Sequence, residues 1–410
     1  MSKNIIVSKN IILCADGTWN GPGEPDSDDK AAHPTNVLKL FRNLDGHDTL
    51  DTYRFANEQE RALTLPSGVE TQIAKYFHGV GDSDNPLVKL LGGTLGAGLT
   101  TRIVRGYTFI SRNYVRGDKI FIVGFSRGAY TARAVAGLIT AKGLLDPANP
   151  ELTDKESAYR LGSAVWYDYR RTTLENNPDN FNWQEALEIA FRDLPAFFRK
   201  DSKAIPLLSP VQIEAVAVWD TVGALGIPEF DSGMVRTDVF RFADTKLSAI
   251  VRHGLHAIAV DEQREDFVPT LWDPDPRITQ VLFPGAHSDV GGGYPSSTGE
   301  SGLSDCALRW MMTELQKLDV KFANPYLIVP QPDAAATAHQ PWTKPPFNLL
   351  PKGPRKFQPG LGLSHSILDR MKQRVANPDP AGLARPYYPE NLGAYLAGQG
   401  AAPEVIVVAC

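Results

Sequence analysis

Residues 119–133, Lys-Ile-Phe-Ile-Val-Gly-Phe-Ser-Arg-Gly-Ala-Tyr-Thr-Ala-Arg, constrain the fold more than any other stretch of the chain. A short apolar run, Ile120 to Val123, ends in Gly124-Phe125-Ser126-Arg127-Gly128, and an Ala- and Leu-bearing segment follows to about Leu138. The order reads as strand, sharp turn and helix with a serine at the apex, a Gly-x-Ser-x-Gly pattern. The flanking glycines are required sterically, because Cβ atoms beside the serine would collide with strand and helix. The strained turn holds the hydroxyl above the sheet edge. The helix that starts just after it aims N–H groups and partial positive charge at any anion formed there. Ser126 is therefore expected to be a nucleophile; the plainer alternative is a small-residue turn with a capping serine.

Further apolar runs supply a sheet for that turn. Asn10-Ile-Ile-Leu-Cys-Ala-Asp16 is continuous and ends in a polar residue, as in a strand buried on both faces of a parallel sheet. A turn at Gly17-Thr18-Trp19-Asn20 and an exposed loop over 21–34 follow. Thr35 then caps a helix carrying Val37, Leu38, Leu40, Phe41 and Leu44. A strand is expected over Thr71–Val80 and a Gly-rich helix, closely packed on the sheet, over about Leu87–Asn113. Val211–Trp219 reads as another buried strand with Asp220 at its end. The spacing of Leu247, Ile250, Val251, Leu255 and Ile258 predicts a helix over Asp244–Val260. Ile278–Phe283 reads as a strand opening into Pro284-Gly-Ala-His-Ser-Asp-Val-Gly-Gly-Gly-Tyr294, Ser304 as the cap of a helix to Leu318, and Glu404–Val408 as a late edge strand.

Strands alternating with helices need crossovers, and so a parallel sheet. The expected fold class is α/β, α/β-hydrolase-like: a mostly parallel central sheet flanked by helices, in a single domain over residues 1–410. Residues 147–210 are rich in aromatic side chains. Asn182 and Glu185 make a capping box there, and Leu187, Ala190, Phe191, Leu194 and Phe198 share one helical face. This segment is expected to be a helical lid or cap insertion, with an ordinary outer helix layer as the equal alternative. Residues 329–400 read as a Pro-rich C-terminal cap region.

In such sheets ligands bind beyond the carboxyl ends of the strands. Four polar features fall there: Asp16-Gly17-Thr18, Ser126, Asp220 and His287. A serine hydroxyl needs a base, imidazole suits that task near neutral pH, and a carboxylate fixes its tautomer. Ser126, Asp220 and His287 stand in the Ser…acid…His order of α/β-hydrolases. Asp220 could instead cap the turn that follows it. His365 competes as the base and Asp289 as the acid. His253 and His256 would share a helical face, and His78 precedes the serine, which breaks the order. Asp16, Asp289 and His287 also form a conceivable hard-ligand metal set. An oxyanion hole would draw on the N–H of Arg127 and on that of Gly17 or Thr18, provided the strand at Asn10–Ala15 lies beside the elbow strand. Asp16 would then tie its own turn.

A net charge of −5 over 410 residues leaves no basic footprint, so a nucleic-acid partner is not expected. Cys14, Cys306 and Cys410 have no metal-binding spacing, argue against a disulfide framework, and fit a reducing compartment. The segment Leu87–Leu99 is too short for a membrane span. The N-terminus has no apolar h-region, so the chain is expected to be cytoplasmic at synthesis, with export by a signal-less system left open. No cofactor is required by the chemistry.

Five ordered motifs carry a resemblance. They are Cys14-Ala-Asp-Gly-Thr-Trp-Asn20, Gly124-Phe-Ser-Arg-Gly-Ala-Tyr-Thr-Ala-Arg133, Trp219-Asp-Thr-Val-Gly223, Arg252-His-Gly-Leu-His-Ala-Ile-Ala-Val-Asp-Glu262 and His287-Ser-Asp-Val-Gly-Gly-Gly-Tyr294. Together they resemble the uncharacterised α/β-hydrolase domain family that includes type VI secretion phospholipase effectors, from about residue 10 to 312. The resemblance implies an α/β-hydrolase fold and a Ser–Asp–His esterase or lipase, with Ser126 as the matched nucleophile. The substrate would be a small-molecule or lipid ester, phospholipid acyl esters included, with peripheral membrane contact. Aromatic residues of 147–210 would line the acyl pocket. Two other readings stand beside it: a non-catalytic binding domain on a hydrolase scaffold, and a metal-assisted hydrolase using Asp16, Asp289 and His287.

Overall fold

Each apolar run read as a strand needs two covered faces, and the chain provides them by stacking helices on both sides of one sheet. In a computed structural model of the protein, residues 8–17, 33–50, 58–79, 95–175, 205–222, 245–345, 347–349, 351–375, 385–398 and 405–406 are described. The strands are β1 (Asn10–Ala15), β2 (His47–Asp48), β3 (Glu58–Thr64), β4 (Glu70–Phe77), β5 (Lys119–Phe125), β8 (Ile213–Trp219), β9 (Val251–Ala259), β10 (Ile278–Phe283), β11 (Gly362–Ser364) and β14 (Val405–Ile406). Two short antiparallel pairs, β6 (Leu144–Leu145) with β7 (Leu207–Leu208) and β12 (Arg374–Val375) with β13 (Arg385–Pro386), lie outside the main sheet. The main sheet runs β14-β11-β10-β9-β8-β5-β1-β4-β3-β2. Every neighbouring pair from β14 to β4 is parallel, and β3 and β2 add an antiparallel edge. The protein is thus mixed α/β, with a largely parallel central sheet flanked by helices.

Alternate residues of each strand serve opposite faces. Ile11, Leu13, Ile120 and Ile122 point to one side, where they meet Ile103, Val104, Tyr107 and Ile110 of α2 (Leu95–Asn113) and Val135 and Leu138 of α3 (Arg127–Lys142). Ile12, Cys14, Phe121, Val123, Ala217 and Trp219 point to the other. There α1 (Asn36–Asn43) brings Val37, Leu40 and Phe41, and Leu308 and Met311 come from the helix Gly302–Lys317. This two-sided burial is why the runs are unbroken. Thr35 caps α1 as expected, accepting from Leu38 N at 3.2 Å. The late edge strand forms as β14 beside β11.

Other elements differ from expectation. The helix predicted over Asp244–Val260 is strand β9 for most of its length. Its Leu255 and Ile258 fit a helical spacing by coincidence, because a central strand is apolar on both faces and shows no period of two. His253 and His256 consequently lie on opposite faces of a strand. The helix expected to start after Ser304 begins at Gly302, with Ser301 in the cap position. β3 has a polar sequence, Glu-Gln-Glu-Arg-Ala-Leu-Thr, and carries no strand signal. It is held by its ladder on β4 and by Lys75, which bonds Glu60 at 2.9 Å and Glu58 at 2.8 Å. Of the 147–210 segment, the described part includes α4 (Lys155–Glu175), which packs Leu161, Val165 and Trp166 into the core. The Asn182 capping box and the helix expected from it lie outside the described residues. No helix among the described residues is long and apolar enough to cross a membrane.

The elbow glycines behave as the sequence demands. A Cβ on Gly128 would overlap the backbone carbonyl of Ala15, and one on Gly124 would overlap that of Gly128. In both positions the obstacle is backbone, which cannot swing aside. Gly128→Ala is expected to destabilise the fold by about 3 kcal/mol or more. Denaturant titration checks this, and a change below about 1 kcal/mol would show that β1 and the elbow can part.

Candidate active site

Ser126 and Asp220 follow residues that are register partners, since Phe125 of β5 pairs with Trp219 of β8. The two side chains therefore start from adjacent strand ends, where strands lie about 4.8 Å apart. Ser126 has φ 56° and ψ −122°, and Asp220 has φ 36°, both rare for residues other than glycine. Ser126 N–H donates to Trp219 O at 3.2 Å, and Ser126 O accepts from Tyr130 N at 3.3 Å. The serine is thus pinned by its main chain at the mouth of α3 and is 8% exposed.

His287 opens the short helix α5 (His287–Gly291) after β10, three strands from the elbow. The loop brings it back. Gly291 has no Cβ because Phe125 occupies that space, and the Phe125 and His287 rings lie 4.6 Å apart. Phe267 meets the imidazole edge-on at 5.1 Å. His287 Nδ1 is 2.5 Å from Asp220 Oδ2, and His287 N–H donates to Glu262 Oε2 at 3.2 Å. Among the described residues, no hydrogen bond joins Ser126 Oγ to His287. Burial pushes His287 below its usual pKa, and the adjacent Asp220 opposes that shift.

Asp220 is fully buried. Its Oδ1 accepts from Ala259 N at 2.9 Å and Arg355 Nη1 at 2.7 Å, and its Oδ2 accepts from His287 and from Arg355 Nη2 at 2.9 Å. Burial alone would raise its pKa. The Arg355 guanidinium and the His287 N–H reverse that and hold the carboxyl well below the usual range. Glu262, also fully buried, is gripped by Arg264 through Nε (2.8 Å) and Nη2 (2.7 Å).

The other predicted residues lie elsewhere. Asp289 sits two residues from His287 but turns away. It accepts from Ala286 N at 2.9 Å and His339 N at 2.8 Å, and its Oδ1 is 2.6 Å from His339 Nδ1. Against the effect of burial, Asp289 and Glu300 raise the pKa of His339, which stacks on Tyr294 at 3.4 Å. His365 follows β11, four strands from β5, and pairs with Asp369 at 3.0 Å. His256 is buried, and its Nε2 accepts from Thr221 N at 3.2 Å. Burial and Arg133 press its pKa down to about 3, so it is a neutral core histidine.

Asp16 accepts from Thr35 (2.6 Å), Tyr76 (2.6 Å) and Gly17 N (2.7 Å). Burial lifts its pKa to about 6 against those donors. Asp16, Asp289 and His287 thus belong to three separate networks. No group of three or more metal-type side chains converges among the described residues. β1 does lie beside β5, as an oxyanion donor from its loop requires. Gly17 N–H is engaged by Asp16, and Thr18 lies outside the described residues.

Sequence reading missed Arg355 and Glu262, which bond Asp220 and the His287 main chain, and His339, which pairs with Asp289 away from them. Arg355 left no local signal: no Asp or Glu occurs between Asp333 and Asp369 to pair with it in sequence.

A family model described as the catalytic domain of Tle1-like phospholipase effectors of type VI secretion matches residues 9–314. An uncharacterized protein of Saccharomyces cerevisiae is 26% identical over 274 residues, covering 67% of this chain and 34% of that protein. Among solved structures, an uncharacterized protein from Pseudomonas aeruginosa is similar with a TM-score of 0.41 and 17% identity, covering 79% of this chain and 48% of that one. A Tle1 effector bound to the VgrG spike of the type 6 secretion system gives a TM-score of 0.33 and 18% identity, covering 70% and 52%. The chain therefore spans about a third of the yeast relative and about half of each solved chain.

Proposed function

The chain belongs to the Tle1-like phospholipase effectors of type VI secretion through their catalytic domain, and from that premise we propose that it is a serine hydrolase of the α/β-hydrolase type that cleaves phospholipid acyl esters. The observation that carries the reading is the buried His287–Asp220 contact of 2.5 Å, beside a serine held at φ 56° on the neighbouring strand end.

In this mechanism Ser126 Oγ attacks the acyl carbonyl carbon while His287 Nε2 takes its proton. Asp220 accepts a hydrogen bond from Nδ1–H and stabilises the imidazolium. The tetrahedral oxyanion would be held by Arg127 N–H and, since Gly17 N–H is engaged by Asp16, by Thr18 N–H. Collapse breaks the ester C–O bond, and Nε2 returns the proton to the departing lysophospholipid alcohol. Water, activated by the same imidazole, then attacks the acyl-enzyme and releases fatty acid. That no hydrogen bond joins Ser126 to His287 among the described residues is in keeping with a site that tightens only when substrate seats. Aromatic side chains of 147–210 would receive the acyl chain, a short-lived contact with a lipid surface would deliver it, and export would follow the type VI route.

A fluorophosphonate probe is expected to label Ser126 in the folded protein, located by peptide mass spectrometry. Phospholipid vesicles incubated with the protein are expected to yield fatty acid and lysophospholipid. Neither label nor product would leave the reading of a non-catalytic domain on a hydrolase scaffold.

A further inference from the structure

The family match ends at residue 314, yet the acid of the dyad is held from beyond it. Arg355 lies between the short 3-10 turn Phe347–Leu349 and β11, and its side chain is buried. Its two terminal nitrogens face the two oxygens of Asp220 at 2.7 and 2.9 Å, a forked pairing that fixes the plane of a carboxylate as well as its position. The same nitrogens donate to Ala259 O at 2.7 Å and Phe267 O at 2.5 Å. One guanidinium therefore ties together the acid, the end of β9, and the residue whose ring faces His287.

The charge around the ring has a consistent pattern. The titratable and charged groups facing His287 are Asp220 from the end of β8, Glu262 and Arg264 from the segment after β9, and Arg355 through Asp220. Each carboxylate carries its own arginine fork, Arg355 on Asp220 and Arg264 on Glu262. Two uncompensated carboxylates against a buried imidazole would lock it as imidazolium, and a locked cation cannot take a proton from serine.

We propose that Arg355 is a positioning residue for His287, acting through Asp220: it aligns the carboxylate with Nδ1–H and neutralises enough of its charge to keep the imidazole available as a base. The proposal rests on the triad reading of the site. Arg355→Met removes the charge and leaves Asp220 free to draw a proton onto the ring. His287 then titrates higher by about one pH unit or more, and the acid limb of kcat/KM moves up with it, while KM for a soluble ester changes little. Arg355→Lys keeps the charge without the fork, so the limb stays near that of the parent protein while kcat falls about tenfold.

The ring is best followed by NMR in a Ser126→Ala background, where the midpoint is read without any activity. A midpoint that is unmoved or lowered in Arg355→Met overturns the proposal, as does a Lys variant that shifts as far as Met. If Arg355→Met does not fold, Arg355→Gln drops the charge while keeping two N–H donors in the slot, and is read by the same rule. Activity surviving in Ser126→Ala would instead remove the triad reading, and the NMR midpoint would still judge Arg355 on its own.

Discussion

Ser126→Ala is expected to lower kcat/KM on p-nitrophenyl and phospholipid esters by about 10⁴-fold or more, with thermal stability within about 1 kcal/mol of the parent protein. The large loss follows because, in the proposed mechanism, Ser126 is the group that forms the acyl-enzyme. What remains is whatever the oxyanion donors and substrate binding achieve with water as nucleophile. The small change in stability follows from how the elbow is held. Its bonds are main-chain: Ser126 N–H to Trp219 O, and Tyr130 N–H to Ser126 O. Alanine keeps both, and it endures the same φ of 56° that serine does. Initial rates and thermal unfolding on the same preparation check both halves. Activity within tenfold of the parent would remove Ser126 from the chemistry.

The elements visible in the sequence are those whose local pattern and tertiary role coincide. β1, β5, β8 and β10 are apolar runs ending in a polar residue or a turn, because a parallel strand is covered on both faces and its reactive end is not. The placement of Ser126, Asp220 and His287 just past strand ends was legible for that reason. β9 was misread for the converse reason, since two-sided burial erased the alternation that distinguishes a strand from a helix. β3 was invisible because an antiparallel strand next to the sheet edge can be polar throughout, provided its charges find partners across the ladder. Arg355 and His339 lie furthest from legibility. Arg355 is 135 residues from Asp220, and His339 is 50 from Asp289. Neither stands in a motif. Their roles arise only when the irregular C-terminal segment folds back over the strand ends, and no local spacing encodes that return.

Asp220→Asn is expected to reduce kcat by about 10³–10⁴-fold and to destabilise the fold by about 3 kcal/mol, from a change of one atom. Both carboxylate oxygens are acceptors with two donors each: Ala259 N and Arg355 Nη1 on Oδ1, and His287 Nδ1 and Arg355 Nη2 on Oδ2. An amide NH₂ in either place meets only donors. Turned toward His287, it forces Nδ1 to accept and moves the ring proton to Nε2, so the base is spent before the serine arrives. Turned toward Ala259, it breaks the main-chain tie and leaves a buried guanidinium facing a neutral side chain. Asp289→Asn is the matched control: Asp289 is as buried and only two residues from His287, but its bonds go to Ala286 N and His339. Its cost is expected mainly in stability, with kcat reduced by about tenfold or less. Rates and unfolding curves for the two variants decide the acid, and a larger kcat loss in Asp289→Asn than in Asp220→Asn would transfer that role to Asp289.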